Sequence, residues 1–345
     1  MSLPPWNGPG IRGYGTASCN DSLIESPFMS TFNIVFPDAS VETAKFLEDW
    51  PRPTGLKLTV DCGPRDSDAA LIERCKKADA ILWGWTQLNA EVLAACKKLK
   101  IASFLGIGID GYIDMATCRA RGIKVCNTPN YGNRTVAEHA IALMFAVSRQ
   151  IARFDSAARA NNWSEDPPGL ELQGRRLGIV GFGAIGREVA KMALGLGLEV
   201  VAWARRPERF GLAFPSVRFV TLADLFSTSE VISLHLQLND QTRGMINAQL
   251  LDLMLPETIL INTARAGLLD MAALERSLTE KRIFGAGLDV FDGQSMTKSG
   301  LRKLSNVVLT PHVAYNSTAT TRRMVMIGLH NILNYRAGQP TNLIP

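Results

Sequence analysis

The sequence predicts an α/β protein with two doubly wound parallel-sheet domains. Three observations carry this. Strand-like apolar runs alternate with helical ones along most of the 345 residues, the pattern of crossover connections over a sheet covered on both faces. The alternation breaks once, at Asn127-Thr128-Pro129-Asn130-Tyr131-Gly132. Just past the middle of the chain, Arg176 to Gly186 reads as a strand, a glycine-rich turn and the start of a helix.

Taken in order, residues 1–30 are rich in Gly, Pro and Ser without periodicity and are expected to form a flexible extension. Strands are expected at Asn33–Phe36, Lys57–Val60, Ala80–Trp83, Ile101–Leu105 and Lys124–Cys126. Helical patterns at 41–50, 67–77, 90–98 and 113–121 separate them, which makes one small α/β domain. After the break, Thr135 with Glu138 resembles a capping box. It would open one long apolar helix running to about Ala160, and a hinge is expected here. A second strand series follows at 177–180, 199–203, 217–221, 231–236, 258–262, 286–290 and 307–310. A final helix at 318–336 is ended by Gly338.

The glycines at 181, 183 and 186 have the spacing of a dinucleotide fingerprint in the context it needs. Gly181 makes the tight turn, Gly183 lets the backbone approach a pyrophosphate, and Gly186 lets helix pack on strand. The N–H groups around Ala184 and Ile185 and the positive end of that helix would face the phosphates.

Ligands of an open parallel sheet bind beyond the carboxyl ends of its strands. There the chain places Thr263-Ala264-Arg265, Phe291-Asp292-Gly293-Gln294, Pro311-His312 and a second glycine loop, Gly106-Ile107-Gly108. Arginine holds a carboxylate with two parallel N–H groups and polarises a neighbouring carbonyl. Histidine moves a proton near neutral pH. Together they suit hydride exchange with a 2-keto acid. His139 and His330 fall within helical patterns and are expected to serve packing. His235 ends a strand, either lining the cofactor cleft or structural.

Composition sets outer bounds. An apolar fraction of 46% with 20% charged residues is that of a globular chain, and a net charge of +5 is spread along it as a solvated surface, so no nucleic-acid partner is expected. No apolar run is long enough to span a bilayer, so no membrane role is expected. The N-terminus lacks a basic region followed by an apolar core, so the expected location is the cytoplasm. Six scattered cysteines without a Cys-x-x-Cys pair, and histidines without a metal-binding spacing, give no metal site and no disulfide framework.

At this point the chain resembles the D-isomer-specific 2-hydroxyacid dehydrogenases over roughly residues 32–345. The motifs are Gly106-Ile107-Gly108-Ile109-Asp110, Val136-Ala137-Glu138-His139, the Gly181 fingerprint, Leu234-His235-Leu236, Ile261-Asn262-Thr263-Ala264-Arg265-Ala266-Gly267, Gly287-Leu288-Asp289-Val290-Phe291 and Leu309-Thr310-Pro311-His312. The resemblance implies that Arg265 and the Gly106–Gly108 loop bind the substrate carboxylate, that His312 is the acid/base, and that Asp289 contacts the nicotinamide carboxamide. It implies a flavodoxin-like substrate domain split between residues 31–132 and 316–345, a Rossmann domain at 133–315, and a homodimer.

The chain also departs from the family pattern. Gln294 stands where the family pairs its histidine with a glutamate. A neutral amide can orient the ring but supplies no charge to raise its pKa, so His312 is expected to be mostly neutral at pH 7. Ala204, Arg205 and Arg206 stand at the end of the second nucleotide-domain strand, where NAD-preferring members carry an acid. This favours a 2′-phosphate, hence NADP over NAD. Gly111 and Gln237 replace an asparagine and a proline. The expected function is hydride transfer between NAD(P) and a small 2-hydroxy or 2-keto acid. The alternatives are a catalytically weak nucleotide sensor of the corepressor kind and, because of Gln294, formate-dehydrogenase-like chemistry. Trp83 and Trp85 are read either as pocket walls or as core.

Overall fold

The computed structural model describes residues 31–63, 67–109, 111–162, 168–210, 213–291 and 300–345. The expected N-terminal extension, Asp110, Asp292 and Gln294 lie outside them.

The first sheet has five strands, β1 (Phe32–Phe36), β2 (Leu56–Val60), β3 (Ala80–Trp83), β4 (Ile101–Phe104) and β5 (Lys124–Cys126), in the order β2-β1-β3-β4-β5. Helices α1 (Val41–Glu48), α2 (Asp68–Cys75), α3 (Ala90–Ala95) and α4 (Met115–Arg121) connect them. The second has seven strands, β6 (Arg176–Val180), β7 (Glu199–Trp203), β8 (Val217–Phe219), β9 (Val231–Leu234), β10 (Ile259–Asn262), β11 (Gly285–Leu288) and β12 (Val307–Leu309). Its order is β8-β7-β6-β9-β10-β11-β12. Every described pairing in both sheets is parallel. Strand order therefore reverses at β1/β3 and at β6/β9, and crevices form beyond the strand ends at these points.

Between the sheets run α5 (Asn133–Ser148) and α6 (Ile151–Arg159). The single helix expected to reach Ala160 is thus two. Gln150 takes a left-handed conformation at φ +51° and breaks the hydrogen-bond ladder. The expected capping box is absent. The helix starts at Asn133 without a side-chain cap, the Thr135 hydroxyl pairs with the Thr320 hydroxyl at 2.6 Å, and Glu138 pairs with Arg134 at 2.8 Å. Local spacing suggested a cap, but a tertiary partner, Thr320, took the Thr135 hydroxyl and a residue one turn earlier on the same helix, Arg134, took Glu138.

Helix α7 (Ala184–Gly195) packs with α5 on one face of the seven-stranded sheet. Leu143, Met144 and Val147 of α5 bury themselves with Val189 and Ala193 of α7 and with Ile179 and Ile261 of the sheet. On the other face lie α8 (Leu222–Thr228), α9 (Ala248–Leu251) and α10 (Met271–Thr279), with Leu225, Phe226, Leu251 and Leu274 in the core. Burying each such side chain stabilises the fold by about 1.5–3 kcal/mol.

The last helix, α11 (Thr318–Arg336), returns to the first sheet. Its Met324, Val325, Leu329 and Ile332 close a core with Ile34, Phe36, Leu82 and Ile101. The tail then adds a backbone bond from Ile344 N–H to the Val125 carbonyl, 2.9 Å. Side chains cap α1, α2, α3, α4, α8, α9, α10 and α11, from Ser40, Ser67, Asn89, Asp114, Thr221, Asn247, Asp270 and Ser317. Helices α5, α6 and α7 start uncapped.

Candidate active site

The β6–α7 turn is shaped by its glycines. Gly181 has φ +98°, and a Cβ there would stand 2.7 Å from the His235 carbonyl oxygen, so no other residue fits without strain. A Cβ on Gly186 would collide with the Gly181 carbonyl. Gly183 differs, because a Cβ there would meet nothing within 4 Å. That open space lies beside the first turn of α7, where the N–H groups near Ala184 and Ile185 have no side-chain cap. The arrangement leaves room and donors for an anion.

Two further polar groups wait at neighbouring strand ends. His235 follows β9 and bonds Ser233 Oγ through Nε2 at 2.8 Å. Its buried Nδ1 has no partner among the described residues, nor has the buried Thr263 hydroxyl after β10. Burial pushes the His235 pKa down to about 3, so the ring is neutral at pH 7. Unpaired buried polar groups are costly unless something bonds them. With the open turn, they fit a bound dinucleotide. Ala204 is half-buried at the end of β7, and Arg205 and Arg206 are exposed beside it. Among the described residues neither guanidinium is paired with an acid.

Arg265 follows β10 in extended conformation, exposed, with Nη1 donating to the Ala264 carbonyl at 2.7 Å. His312 lies in the loop after β12 with φ +55°, its N–H donating to the Asp289 carbonyl at 2.9 Å. The two side chains are close enough to interact. Burial first, and the Arg265 charge second, hold the His312 pKa below its usual value, while Asp289 works in the opposite direction. Arg265 also lowers the pKa of Tyr131, which burial and Tyr315 raise on balance. The hinge tyrosine, the arginine and the histidine therefore share one cleft. Gly106, Ile107 and Gly108 follow β4 in the other sheet, with Ile107 and Gly108 exposed and the Gly106 carbonyl held by the Thr128 N–H at 2.9 Å.

The structure shows a structural task for Asp289 beside the role implied by resemblance. It is fully buried, and its carboxylate accepts from the Thr310 hydroxyl at 2.6 Å and from the N–H groups of Val313 and Ala314, both at 2.9 Å. It ties down the loop that carries His312. His139 is also more than packing, since its Nε2 bonds the Thr310 hydroxyl at 2.9 Å and so joins this knot. His330 corrects the packing expectation too: it is exposed, with Nδ1 against the Met326 carbonyl at 2.7 Å.

The two tryptophans part ways. Trp83 is core, tilted against Phe104 with ring centroids 5.2 Å apart. Trp85 is exposed and faces Tyr315 at 6.4 Å. Tyr315 stands edge-on to His312 at 6.2 Å and to Tyr131 at 6.4 Å. Neither Tyr315 nor the buried Asp38, which binds the loop carrying Trp85, was visible to sequence reasoning. Tyr315 follows His312 by three residues, the one signal that could have found it.

A seven-stranded sheet with an open glycine turn, unpaired polar groups at adjacent strand ends and an arginine–histidine pair across the cleft defines a dinucleotide-dependent oxidoreductase. Residues 141–314 match the family described as D-isomer specific 2-hydroxyacid dehydrogenase, NAD binding domain. The chain is 41% identical over 248 residues to a hydroxypyruvate reductase of Thermotoga maritima, covering 71% of this chain and 79% of that one. The fold is similar to that of D-2-hydroxyisocaproate dehydrogenase, with TM-score 0.81 and 27% identity over 91% of this chain and 99% of that one. It is also similar to an acyclic imino acid reductase in complex with NADPH and D-Arg, with TM-score 0.74 and 30% identity over 91% of this chain and all of that one. The protein belongs to the D-isomer-specific 2-hydroxyacid dehydrogenases. It is an oxidoreductase using a nicotinamide cofactor on small hydroxy or keto acids, and nothing in these similarities favours the sensor or the formate reading. Among the described residues, no helix is long and apolar enough to cross a membrane.

Proposed function

We propose that the protein is a 2-keto acid reductase preferring NADPH, with Arg265 as the substrate clamp and His312 as the acid/base. The observation that carries this is the meeting of Arg265 and His312 at the strand ends beside the open β6–α7 turn. The dinucleotide would lie on Gly181–Gly186, Thr263 and His235, and it supplies the hydride when bound. Arg265 holds the carboxylate through two N–H groups, and the backbone of Gly106–Gly108 closes on it from the other sheet. His312 gives a proton to the carbonyl oxygen in reduction and removes one from the hydroxyl in oxidation. Because its pKa lies below the usual value, the neutral ring predominates at pH 7. It is ready to accept a proton, and donating one becomes easier as pH falls toward its lowered pKa. Gln294, at the position of the family's glutamate, brings no charge to raise the His312 pKa. Closing the cleft would exclude water.

Arg205 and Arg206, unpaired beside Ala204, carry the NADPH preference, since no acid occupies the position that would take a ribose hydroxyl. We take residues 31–132 with 316–345 as the substrate unit and 133–315 as the nucleotide unit, assembled as a cytoplasmic homodimer. The test is oxidation of NADPH and of NADH with glyoxylate and hydroxypyruvate at pH 6 and pH 8. The expected result is turnover of at least one acid, faster with NADPH and faster at pH 6. Absence of turnover with either cofactor would count against the reductase. Equal KM for NADH and NADPH at low salt would remove the cofactor preference.

A further inference from the structure

We infer that Asp38 is a positioning residue for substrate selection: its buried carboxylate holds Trp85 beside Tyr315, so that the cleft takes a 2-keto acid with a flat apolar side chain, aryl above all. This rests on the proposed clamp and acid/base, Arg265 and His312.

Asp38 lies just beyond β1 and is almost fully buried. Its Oδ2 accepts from the Trp85 N–H at 2.6 Å, the Thr86 N–H at 2.8 Å and the Thr86 hydroxyl at 2.8 Å. The Gly84 N–H reaches Oδ1 at 3.1 Å and Oδ2 at 3.2 Å. One carboxylate thus collects three successive N–H groups and a hydroxyl from the loop after β3. Hydrogen bonds to a charged acceptor are short and about twice as strong as neutral ones, and a buried charge held by so many donors is paired rather than idle. The loop it fixes ends in the cleft.

What the loop delivers there is apolar. Trp85 is 52% exposed, and Ile107, on the adjacent strand end, is 48% exposed. Most large apolar side chains of this chain are buried, so two exposed ones at neighbouring strand ends of a ligand crevice are informative. Trp85 packs on Tyr315, and Tyr315 is the ring that touches the edge of His312. A substrate held by its carboxylate on Arg265, with its carbonyl toward His312, would turn its third substituent toward this aromatic face. Gly84-Trp85-Thr86 brings no cation there, so this loop offers nothing to a charged side chain. Offset or edge-to-face contact with aromatic rings rewards an aryl group beyond the area it buries.

The test measures kcat and KM of the full chain for phenylpyruvate and glyoxylate with NADPH, and calorimetric binding of D-phenyllactate and D-lactate in the presence of NADP+. The wild type is expected to favour phenylpyruvate in kcat/KM and D-phenyllactate in affinity. Trp85→Ala should lower the phenylpyruvate-to-glyoxylate ratio about tenfold. Asp38→Asn retains one acceptor oxygen but sets an amide group against the loop N–H groups. It should shift the ratio in the same direction and mainly through KM for phenylpyruvate. A purely structural role would depress both substrates equally. The inference fails if the wild type shows no preference, or if Trp85→Ala leaves the ratio within twofold. Should Asp38→Asn not fold, the exposed Trp85 alone decides the matter. If no keto acid is turned over, the reductase reading fails, and the binding ratio still decides this one: a preference for D-phenyllactate lost in Trp85→Ala supports it, and equal affinities in the wild type overturn it.

Discussion

The two sheets use their carboxyl edges in opposite ways. At the seven-stranded sheet the edge is made of backbone and of polar atoms without partners: the open space at Gly183, the uncapped start of α7, the Thr263 hydroxyl and His235 Nδ1. At the five-stranded sheet the buried Asp38 carboxylate is already saturated by its loop, and beside the Gly106–Gly108 backbone the apolar side chains of Trp85 and Ile107 face the cleft. The first edge is prepared for a ligand that is always the same and rich in phosphate. The second presents side chains, which can change without disturbing a glycine turn. An enzyme family that keeps its cofactor and varies its acid needs this division.

The comparison can be broken most directly where the edges meet. On its proposed role, Arg265→Ala would remove two charge-assisted hydrogen bonds to the carboxylate, and kcat/KM for any keto acid is then expected to fall about 10³-fold, since each such bond is worth about 1.5–3 kcal/mol. The side chain is exposed, so Tm should not move, and a full-activity variant would remove Arg265 from the site.

Next come the two glycines of the nucleotide edge. Gly181→Ala is expected to cost about 3 kcal/mol of stability, because the residue must hold φ +98° against the His235 carbonyl. Gly183→Ala meets nothing within 4 Å, so its stability should stay within about 0.5 kcal/mol of wild type while affinity for NADPH falls. Urea unfolding and nucleotide titration of both variants separate the two roles. Equal loss of stability in both would mean that the open space is not reserved for a ligand.

His235 gives a third test. Its pKa is about 3 in the folded chain and about 6.5 when unfolded, so the unfolded state binds the proton first. Stability is therefore unaffected above pH 6.5 and is lost progressively as pH falls from there toward 3, by about 2 kcal/mol at pH 5. His235→Asn should flatten that part of the stability–pH curve. An unchanged slope would show that the ring is not held neutral.

The smallest expected effect is at Arg205 and Arg206. Replacing both by Ala should raise KM for NADPH about tenfold and leave that for NADH nearly constant, the difference shrinking with salt because exposed charges are screened.

Much of this architecture was legible in the sequence, for physical reasons. Buried parallel strands are continuous apolar runs, so all twelve strands could be located, most within a residue or two. The dinucleotide turn was legible because its strand, glycines and helix are contiguous, and Gly186 is demanded by the Gly181 carbonyl of the turn itself, although the His235 carbonyl that crowds Gly181 comes from beyond β9. Asp289 was legible as an important position, but its tie to the His312 loop was not, because its partners Val313 and Ala314 lie more than twenty residues away. Asp38 was silent for the same reason: its partners Gly84, Trp85 and Thr86 are brought to it only by the pairing of β1 with β3. The break at Gln150 was missed because nothing in the local pattern of Val147 to Ile151 forbids a continuous helix.

The return of α11 to the first sheet sets the order in which the molecule can be completed. All seven strands of the nucleotide sheet are contiguous between Arg176 and Leu309, so that sheet can form as soon as its own stretch has left the ribosome. The five strands emitted first must wait. Until Met324, Val325, Leu329 and Ile332 arrive, Ile34, Leu82 and Ile101 are covered only in part, by Leu47 and Phe46 of α1. The five-stranded sheet, proposed above to choose the substrate, is therefore the earliest made and the last to close, and it spends translation with part of an apolar face exposed, the condition in which nascent chains depend most on chaperones.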